Sequence, residues 1–409
     1  MASRMNTDTH THPMRKATKA IHEGKLECMD FGQVSVPIFQ SSTFSFPTAE
    51  EGAARFAGTK EGYIYTRLGN PTIDALERSV AAQENGYRGL ATASGMAAIT
   101  TVYAAFLGKD THIVSTDCVY GPSRMALETI FRRFGVEATF VDSSDAGNIE
   151  QAIRPNTALV FIETPANPTM SITDIAAAAE IAHRHGIPLA VDNTFASPYL
   201  QRPIDHGADI VIHSLTKYIN GHSDVVGGMI VTKDAALYAT IKPVLNHLGG
   251  TMDPHQAWLV LRGVQTLPLR MEKSQENAAR MAAFLKQHPM VTWLNFPGLP
   301  EHPQHDVAKR QMDGFGAMIA FGVRGGLDGG RTVMNSVRLF TLAVSLGGVE
   351  SLIEHPASMT HAGMPKATRE EAGIKDELVR ISLGCEDIDD LLEDLDQALN
   401  AIETDAGNA

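Results

Sequence analysis

Lys217 ends a short run, Asp209-Ile210-Val211-Ile212-His213-Ser214-Leu215-Thr216-Lys217, in which two hydroxyl residues stand beside one amine. The hydroxyls of Ser214 and Thr216 can hydrogen-bond a phosphate. The amine can form a Schiff base once it is desolvated or set near other cations. Upstream, Pro188-Leu189-Ala190-Val191 runs into Asp192-Asn193-Thr194 and leaves a carboxylate at the end of a second apolar segment. Three further stretches carry groups of the same kind. Tyr65-Thr66-Arg67 alternates a phenol and a guanidinium, so an extended backbone projects both to one side. Ser94-Gly95-Met96 precedes an apolar helix, whose N-terminus favours an anion. Glu163-Thr164-Pro165-Ala166-Asn167-Pro168 follows a third apolar run. Singly, each is equally a solvated strand end, a loop ion pair or a helix cap.

Together the lysine and the acid are the pair that pyridoxal phosphate chemistry needs. The lysine holds the aldehyde, and an anionic Asp192 keeps a pyridine nitrogen protonated, because opposite charge favours the charged form.

The elements that must position these residues follow from the pattern. Short apolar runs at His112–Ser115, Ala138–Val141, Ala158–Glu163, Leu189–Asp192, Ile210–His213 and Gly228–Val231 predict strands. Helices are predicted at Ile73–Gln83, Ala97–Phe106, Ser123–Phe134, Ile149–Arg154, Ile172–His185 and Ala235–Leu245. Strand, helix and strand at this spacing predict a mostly parallel sheet covered on both faces, with ligands at the carboxyl ends of the strands. Beyond the helices at Trp258–Gly263 and Arg270–Gln287, strands are predicted at Val291–Phe296, Ala317–Val323, Leu342–Ser345 and Leu378–Leu383. A terminal helix over Glu386–Ile402 completes an α+β module. Residues 20–70 read as an extended arm.

Composition excludes several classes. A chain of 409 residues with 44% hydrophobic and 20% charged residues is an ordinary globular protein, long enough for two domains. A net charge of −13 leaves no basic surplus for nucleic acid. No apolar run is long enough for a membrane span, and Met1–Lys19 has no apolar core of a signal peptide. That segment, with Thr9-His10-Thr11-His12, is expected to be partly disordered. Three cysteines far apart (Cys28, Cys118, Cys385) predict a reduced, cytoplasmic protein with no disulfide framework, and the 16 histidines show no metal-ligand spacing.

In their order along the chain, the motifs Tyr65-Thr66-Arg67-Leu68-Gly69-Asn70-Pro71-Thr72, Ser94-Gly95-Met96, Glu163-Thr164-Pro165-Ala166-Asn167-Pro168, Asp192-Asn193-Thr194 and Ser214-Leu215-Thr216-Lys217-Tyr218 resemble the trans-sulfuration (Cys/Met metabolism) family of pyridoxal phosphate enzymes. The resemblance runs from about Ala20 to about Ala401. It implies an α/β protein of fold type I, with a mostly parallel seven-stranded sheet in the large domain and a smaller C-terminal α+β domain. The implied divisions are an arm at 1–65, a cofactor domain at 66–265 and a C-terminal domain at 266–409. By that resemblance Lys217 holds pyridoxal 5'-phosphate and shuttles protons, Asp192 pairs with the pyridine nitrogen, and Asn167 contacts the ring hydroxyl. Ser94, Gly95, Met96, Ser214 and Thr216 form the phosphate cup. Tyr65 and Arg67 reach the phosphate of a neighbouring subunit, which implies a homotetramer built as a dimer of dimers. Tyr120 stacks on the ring and passes a proton to the leaving group. Arg380 clamps the substrate carboxylate, with Ser345 nearby.

The family cleaves or replaces at the γ carbon of small sulfur amino acids. Cystathionine-handling members resemble one another in carrying a Glu at two places that are here Ile64 and Val344, and often a polar or basic residue at a third that is here Met125. An apolar wall leaves a distal ammonium and carboxylate without partners and suits a methyl thioether. The expectation is γ-elimination of L-methionine, or a related sulfur amino acid, to a thiol, 2-oxobutyrate and ammonia. Cleavage of cystathionine and γ-replacement on an O-acylated homoserine stay open, as does a cofactor binder without turnover. Two features depart from the methyl-thioether pattern. Pro122 follows Tyr120-Gly121 where a cysteine is usual, and Leu245-Asn246-His247-Leu248 replaces a Lys-Asp pair.

Overall fold

The computed structural model describes residues 14–25, 32–360, 362–363, 366–371 and 373–402. The Thr9–His12 alternation, Cys28 and His361 lie outside the described residues.

Seven strands form the large sheet: β1 (Arg88–Thr92), β2 (His112–Thr116), β3 (Glu137–Val141), β4 (Thr157–Glu163), β5 (Leu189–Asp192), β6 (Ile210–Ser214) and β7 (Gly228–Thr232). Their order is β1-β7-β6-β5-β4-β2-β3, and only β7 runs against the others. The central strands are apolar and buried throughout, as a sheet covered on both faces requires. One face packs Val102, Tyr103 and Ile241 against Leu90, Phe161 and Ile212. The other packs Ile149, Ile175 and Ala178 against Val160, Ile162 and Val191.

A second, five-stranded sheet contains β8 (Val291–Asn295), β9 (Met318–Val323), β10 (Thr341–Leu342), β11 (Leu352–Glu354) and β12 (Leu378–Ser382), in the order β10-β11-β12-β9-β8. It is antiparallel apart from the β10–β11 pair. The helices Leu267–Leu285 and Ile388–Asn400 cover it, and their core runs on to Met170, Ile172, Phe195 and Leu200 of the large sheet's loops.

Several expectations are corrected. The stretch 20–70 contains the end of a helix at Lys16–His22 and a second at Ala49–Phe56, the latter capped by Thr48 accepting from the Glu51 N–H, so it is not simply extended. The segment Arg88–Thr92, where no strand is predicted above, forms β1; its small residues hide the strand signal. Strand Leu342–Ser345 shrinks to Thr341–Leu342, because Ser345 takes a φ of +94° that no strand allows. The helix expected at Ser123–Phe134 is regular only to Met125; it widens over Ala126–Ile130 and tightens over Phe131–Phe134, where Gly135 ends it at φ +83°.

Candidate functional site

Parallel register brings the motif residues to one rim. Glu163 lies opposite Asp192 across β4 and β5, and Asp192 lies opposite Ile212 of β6, two residues before Ser214. Because side chains alternate along a strand, Asp192, Ile212 and Ser214 share the face on which Lys217 emerges. Ser214 pairs in turn with Gly228 of β7, and Gly228 with Thr92 of β1. Only glycine fits at 228, since a Cβ there would lie 2.3 Å from the Ser94 carbonyl oxygen.

Lys217 sits in the turn after β6, half-buried, and its Nζ donates to Ser345 Oγ at 2.6 Å. Burial, joined by the nearby Arg380 cation, lowers its pKa to about 8; Glu354 pulls the other way. A far larger share of this amine is therefore neutral and nucleophilic near pH 7 than of an ordinary lysine. Two residues after Ser345, Gly347 takes a φ of +76° and packs against the lysine's turn, where a Cβ would come within 2.6 Å of the Tyr218 nitrogen.

Asp192 is buried, and its Oδ1 accepts from both the N–H and the hydroxyl of Thr194, at 3.0 and 2.5 Å. Its Oδ2 makes none of the described hydrogen bonds. Burial raises the carboxyl's pKa, while Thr194 and His213 oppose that rise. Glu163 beside it is also buried and accepts from the Tyr120 N–H at 2.8 Å and the Asn167 N–H at 3.1 Å. Tyr120 is exposed at the rim, and partial burial together with Glu163 keeps its phenol above the usual range.

Arg380 of β12 is 5% exposed and uses its whole fork. Nη1 meets Asn167 Oδ1 at 2.7 Å and Glu354 Oε1 at 3.1 Å, and Nη2 meets the Ser345 carbonyl at 2.8 Å. Glu354 faces it directly across the β11–β12 pair. The Asn167 amide is thereby oriented, its oxygen toward Arg380 and its NH2 free to point elsewhere.

The anion site expected at Ser94–Met96 has the right backbone. Ser94 caps the Gly95–Phe106 helix through Oγ, which accepts from the Ala97 N–H at 3.0 Å; the Gly95 and Met96 N–H groups are left without an intrahelical partner. A Cβ on Gly95 would stand 3.0 Å from Ser214 Cβ, so the helix start and Ser214 form one concave cradle. Thr216 Oγ1 accepts from the Gly227 N–H at 3.0 Å beside it. These residues fit pyridoxal phosphate: a cradle of N–H and hydroxyl groups, an unengaged carboxylate oxygen and a lysine of lowered pKa open to one rim.

Tyr65 and Arg67 do not lie in an extended segment. Tyr65 pairs with Thr43, and residues 66–68 form a turn closed by the Leu68 N–H on the Tyr65 carbonyl at 2.8 Å. Both side chains remain exposed and together, with the guanidinium 5.7 Å from the ring centroid, and Arg67 Nη1 meets the Asn246 carbonyl at 2.5 Å. Ile64 is half-buried, while Val344 and Met125 are 56% and 54% exposed. Cys118 offers no replacement for the missing loop cysteine, because burial and Asp117 push its thiol up to about 12.

Glu163, Thr194 and Glu354 were given no role from sequence. Glu163 and Thr194 stood inside quoted motifs, and Glu354 acts through a contact that no spacing shows. Among the described residues no His, Cys, Asp and Glu cluster could hold a metal, and no helix is long and apolar enough to cross a membrane.

Residues 17–400 match the family described as Cys/Met metabolism PLP-dependent enzyme. L-Methionine gamma-lyase of Treponema denticola is 47% identical over 392 residues, covering 94% of this chain and 97% of its own. Cystathionine gamma-lyase of Bacillus subtilis is 48% identical over 389 residues, covering 95% and 100%. A crystal structure of cystathionine gamma-lyase from Lactobacillus plantarum complexed with L-serine superposes with a TM-score of 0.90 at 44% identity, over 95% of this chain and 99% of that one.

Proposed function

The chain belongs to the Cys/Met metabolism family of PLP-dependent enzymes, and within that family we propose that it is a γ-lyase releasing a thiol, 2-oxobutyrate and ammonia from L-methionine. Pyridoxal phosphate is its cofactor. Relatives bearing two different substrate names match this chain equally well, so overall identity carries no substrate information. The observation that supports methionine is local. Val344 immediately precedes Ser345, whose hydroxyl holds Lys217, and it presents an isopropyl group at the mouth of the site. With Met125 and, in the assembly proposed below, Ile64 of a second copy, this offers a methyl thioether apolar contact and offers a second amino-acid head no charge partner.

When bound, the cofactor supplies an electron sink that acidifies the substrate's Cα–H. In this reading Lys217 Nζ would take the Cα proton, release it, and once neutral again take a Cβ proton, for which a pKa lowered to about 8 is suited. Asp192 Oδ2 would hold the ring nitrogen protonated, and Asn167 would bind the ring hydroxyl. Gly95, Met96, Ser214 and Thr216 bind the phosphate, with Ser94 fixing the helix start. Arg380 holds the substrate carboxylate. Tyr120, whose raised pKa keeps its proton on, gives it to the departing sulfur. The exposed Tyr65–Arg67 pair completes the phosphate site of a second copy in a homotetramer, and the enzyme works in the cytoplasm. The working units are an arm to residue 65, a cofactor domain to 265 and a C-terminal domain beyond.

The test is to give the cofactor-loaded protein methionine, cystathionine or O-acetylhomoserine, with and without added thiol, and to quantify 2-oxobutyrate. Release mainly from methionine supports the reading. Release mainly from cystathionine overturns the apolar-wall argument, and a new thioether from the ester and thiol with little keto acid makes the enzyme a synthase.

A further inference from the structure

Glu163 ends β4 with both carboxylate oxygens engaged, each by a backbone N–H from a different loop. Oε2 takes the amide of Tyr120, in the loop after β2, and Oε1 takes the amide of Asn167, in the loop after β4 itself. The carboxylate is 4% exposed and makes no described contact with a lysine or arginine at ion-pair distance. A buried acid without a salt bridge is costly, and residues elsewhere in the fold that need only packing are apolar. Its position is also unusual: directly across the sheet register stands Asp192, a second buried carboxylate. Burial and Asp192 push the Glu163 carboxyl well up, while the two N–H groups and Arg380 favour its anion. An acid kept at such a place against electrostatic opposition has a task that neutral side chains there would not perform.

We propose that Glu163 is a positioning residue that ties the Tyr120 loop to the Asn167 loop, so that the phenol and the amide are held at one fixed separation across the cofactor site. The tie rests on the cofactor-site reading given above. It reaches further than those two amides. Ser123, three residues after Tyr120, lies 3.8 Å from the sulfur of Met96 at the start of the phosphate-site helix, and Asn167 Oδ1 binds Arg380. Glu163 therefore sits at the junction of the ring-stacking loop, the ring-hydroxyl loop and, through Asn167, the carboxylate clamp. Glu163→Gln keeps one carbonyl acceptor and turns an NH2 donor toward the other amide, so it can hold one loop and not both. Glu163→Ala holds neither.

Amide hydrogen exchange on the cofactor-free protein tests the tie without turnover. In Glu163→Ala the Tyr120 and Asn167 amides should exchange about 10-fold faster, the loss of one hydrogen bond each, while the Val160 amide within β4 is unchanged. In Glu163→Gln, which keeps the volume and guards against misfolding, one of the two amides should speed up and the other stay protected. For the loaded enzymes, kcat should fall with KM for methionine changed less, because the misplaced group is the proton donor. Unchanged exchange at both amides in Glu163→Ala, or equal losses in kcat and protection throughout β4, would overturn the tie. Borohydride reduction of the loaded wild type followed by peptide mapping separates the two ideas: label on a residue other than Lys217 sinks the site reading, and label on Lys217 with unchanged exchange sinks only the tie.

Discussion

Glu354→Gln should tighten carboxylate binding while it weakens the fold. Arg380 Nη1 is shared between Asn167 Oδ1 and Glu354 Oε1, 2.7 and 3.1 Å away, and both partners of the ion pair are about 6% exposed on their side chains. A substrate carboxylate seeking Arg380 therefore competes with an anion already in place. Gln preserves the shape and a neutral acceptor, so Arg380 keeps that contact along with Asn167 and the Ser345 carbonyl, and loses only the charge assistance. Hydrogen bonds to charged groups contribute about 1.5–3 kcal/mol against about 1 kcal/mol for neutral ones, so the change removes about 1–2 kcal/mol from the C-terminal sheet. That corresponds to a fall in Tm of about 2–8 °C for a domain of that size. The same charge opposes the incoming carboxylate, and removing it should lower the inhibition constant of a simple carboxylate analogue such as propargylglycine's saturated counterpart, norvaline, by about 5-fold, equivalent to about 1 kcal/mol. The sign at Lys217 is also fixed. Glu354 raises the lysine's pKa, so its loss moves that pKa below about 8 and shifts the rising limb of the rate–pH profile to lower pH. Norvaline inhibition with the enzyme at several pH values, beside thermal melts, reads all three. Weaker inhibition together with an unmoved pH limb would refute the competition argument and make Glu354 a support that Arg380 needs.

Lys217→Ala should abolish keto-acid release while the protein stays folded and binds the cofactor without a covalent link; undiminished release would remove Lys217 from the chemistry. Val344→Glu should move the ratio of kcat/KM for cystathionine over methionine upward by about 5-fold, the value of a roughly 1 kcal/mol half-exposed ion pair, and an unchanged ratio would count against the wall. Arg270→Met should cost about 3 kcal/mol in denaturant unfolding, because the buried guanidinium donates to the carbonyls of Tyr218, Ile219 and Gly263 at 2.6, 3.3 and 2.8 Å; Gly263 would keep its bonds from Thr266, and the Tyr218 and Ile219 carbonyls would lose theirs to Arg270. If that variant unfolds like the wild type and retains a Lys217 of unaltered reactivity toward an amine reagent, Arg270 does not set the lysine's turn.

The sheet was legible because its strands are apolar on both faces and end in polar residues. Leu189–Asp192 and Ile210–Ser214 announce their ends within a residue, and a parallel sheet then places Asp192 and Ser214 on one rim without further information. β1 was less legible because Arg88-Gly89-Leu90-Ala91-Thr92 has only one large apolar side chain; its strand conformation comes from pairing with β7. The short β11 could not be read either, since three residues carry no period. With it went Glu354, whose position opposite Arg380 is a register between segments far apart in sequence.

The residues proposed to meet a ligand were the ones the sequence displayed, because they cluster at strand ends in a fixed order. Those that hold such groups in place act through backbone amides and carbonyls, which every residue possesses. Glu163 reaches the amides of Tyr120 and Asn167, and Arg270 reaches the carbonyls of Tyr218 and Ile219 just after Lys217 and that of Gly263. A pattern of side-chain types cannot report a partner that has no side chain. This also bears on substrate choice: Val344 and Met125 are displayed and can be exchanged singly, since each is more than half exposed and supports little else. On the proposed reading, specificity lies at positions that are cheap to alter, and the proton chemistry at positions locked through the buried acids and cations behind them.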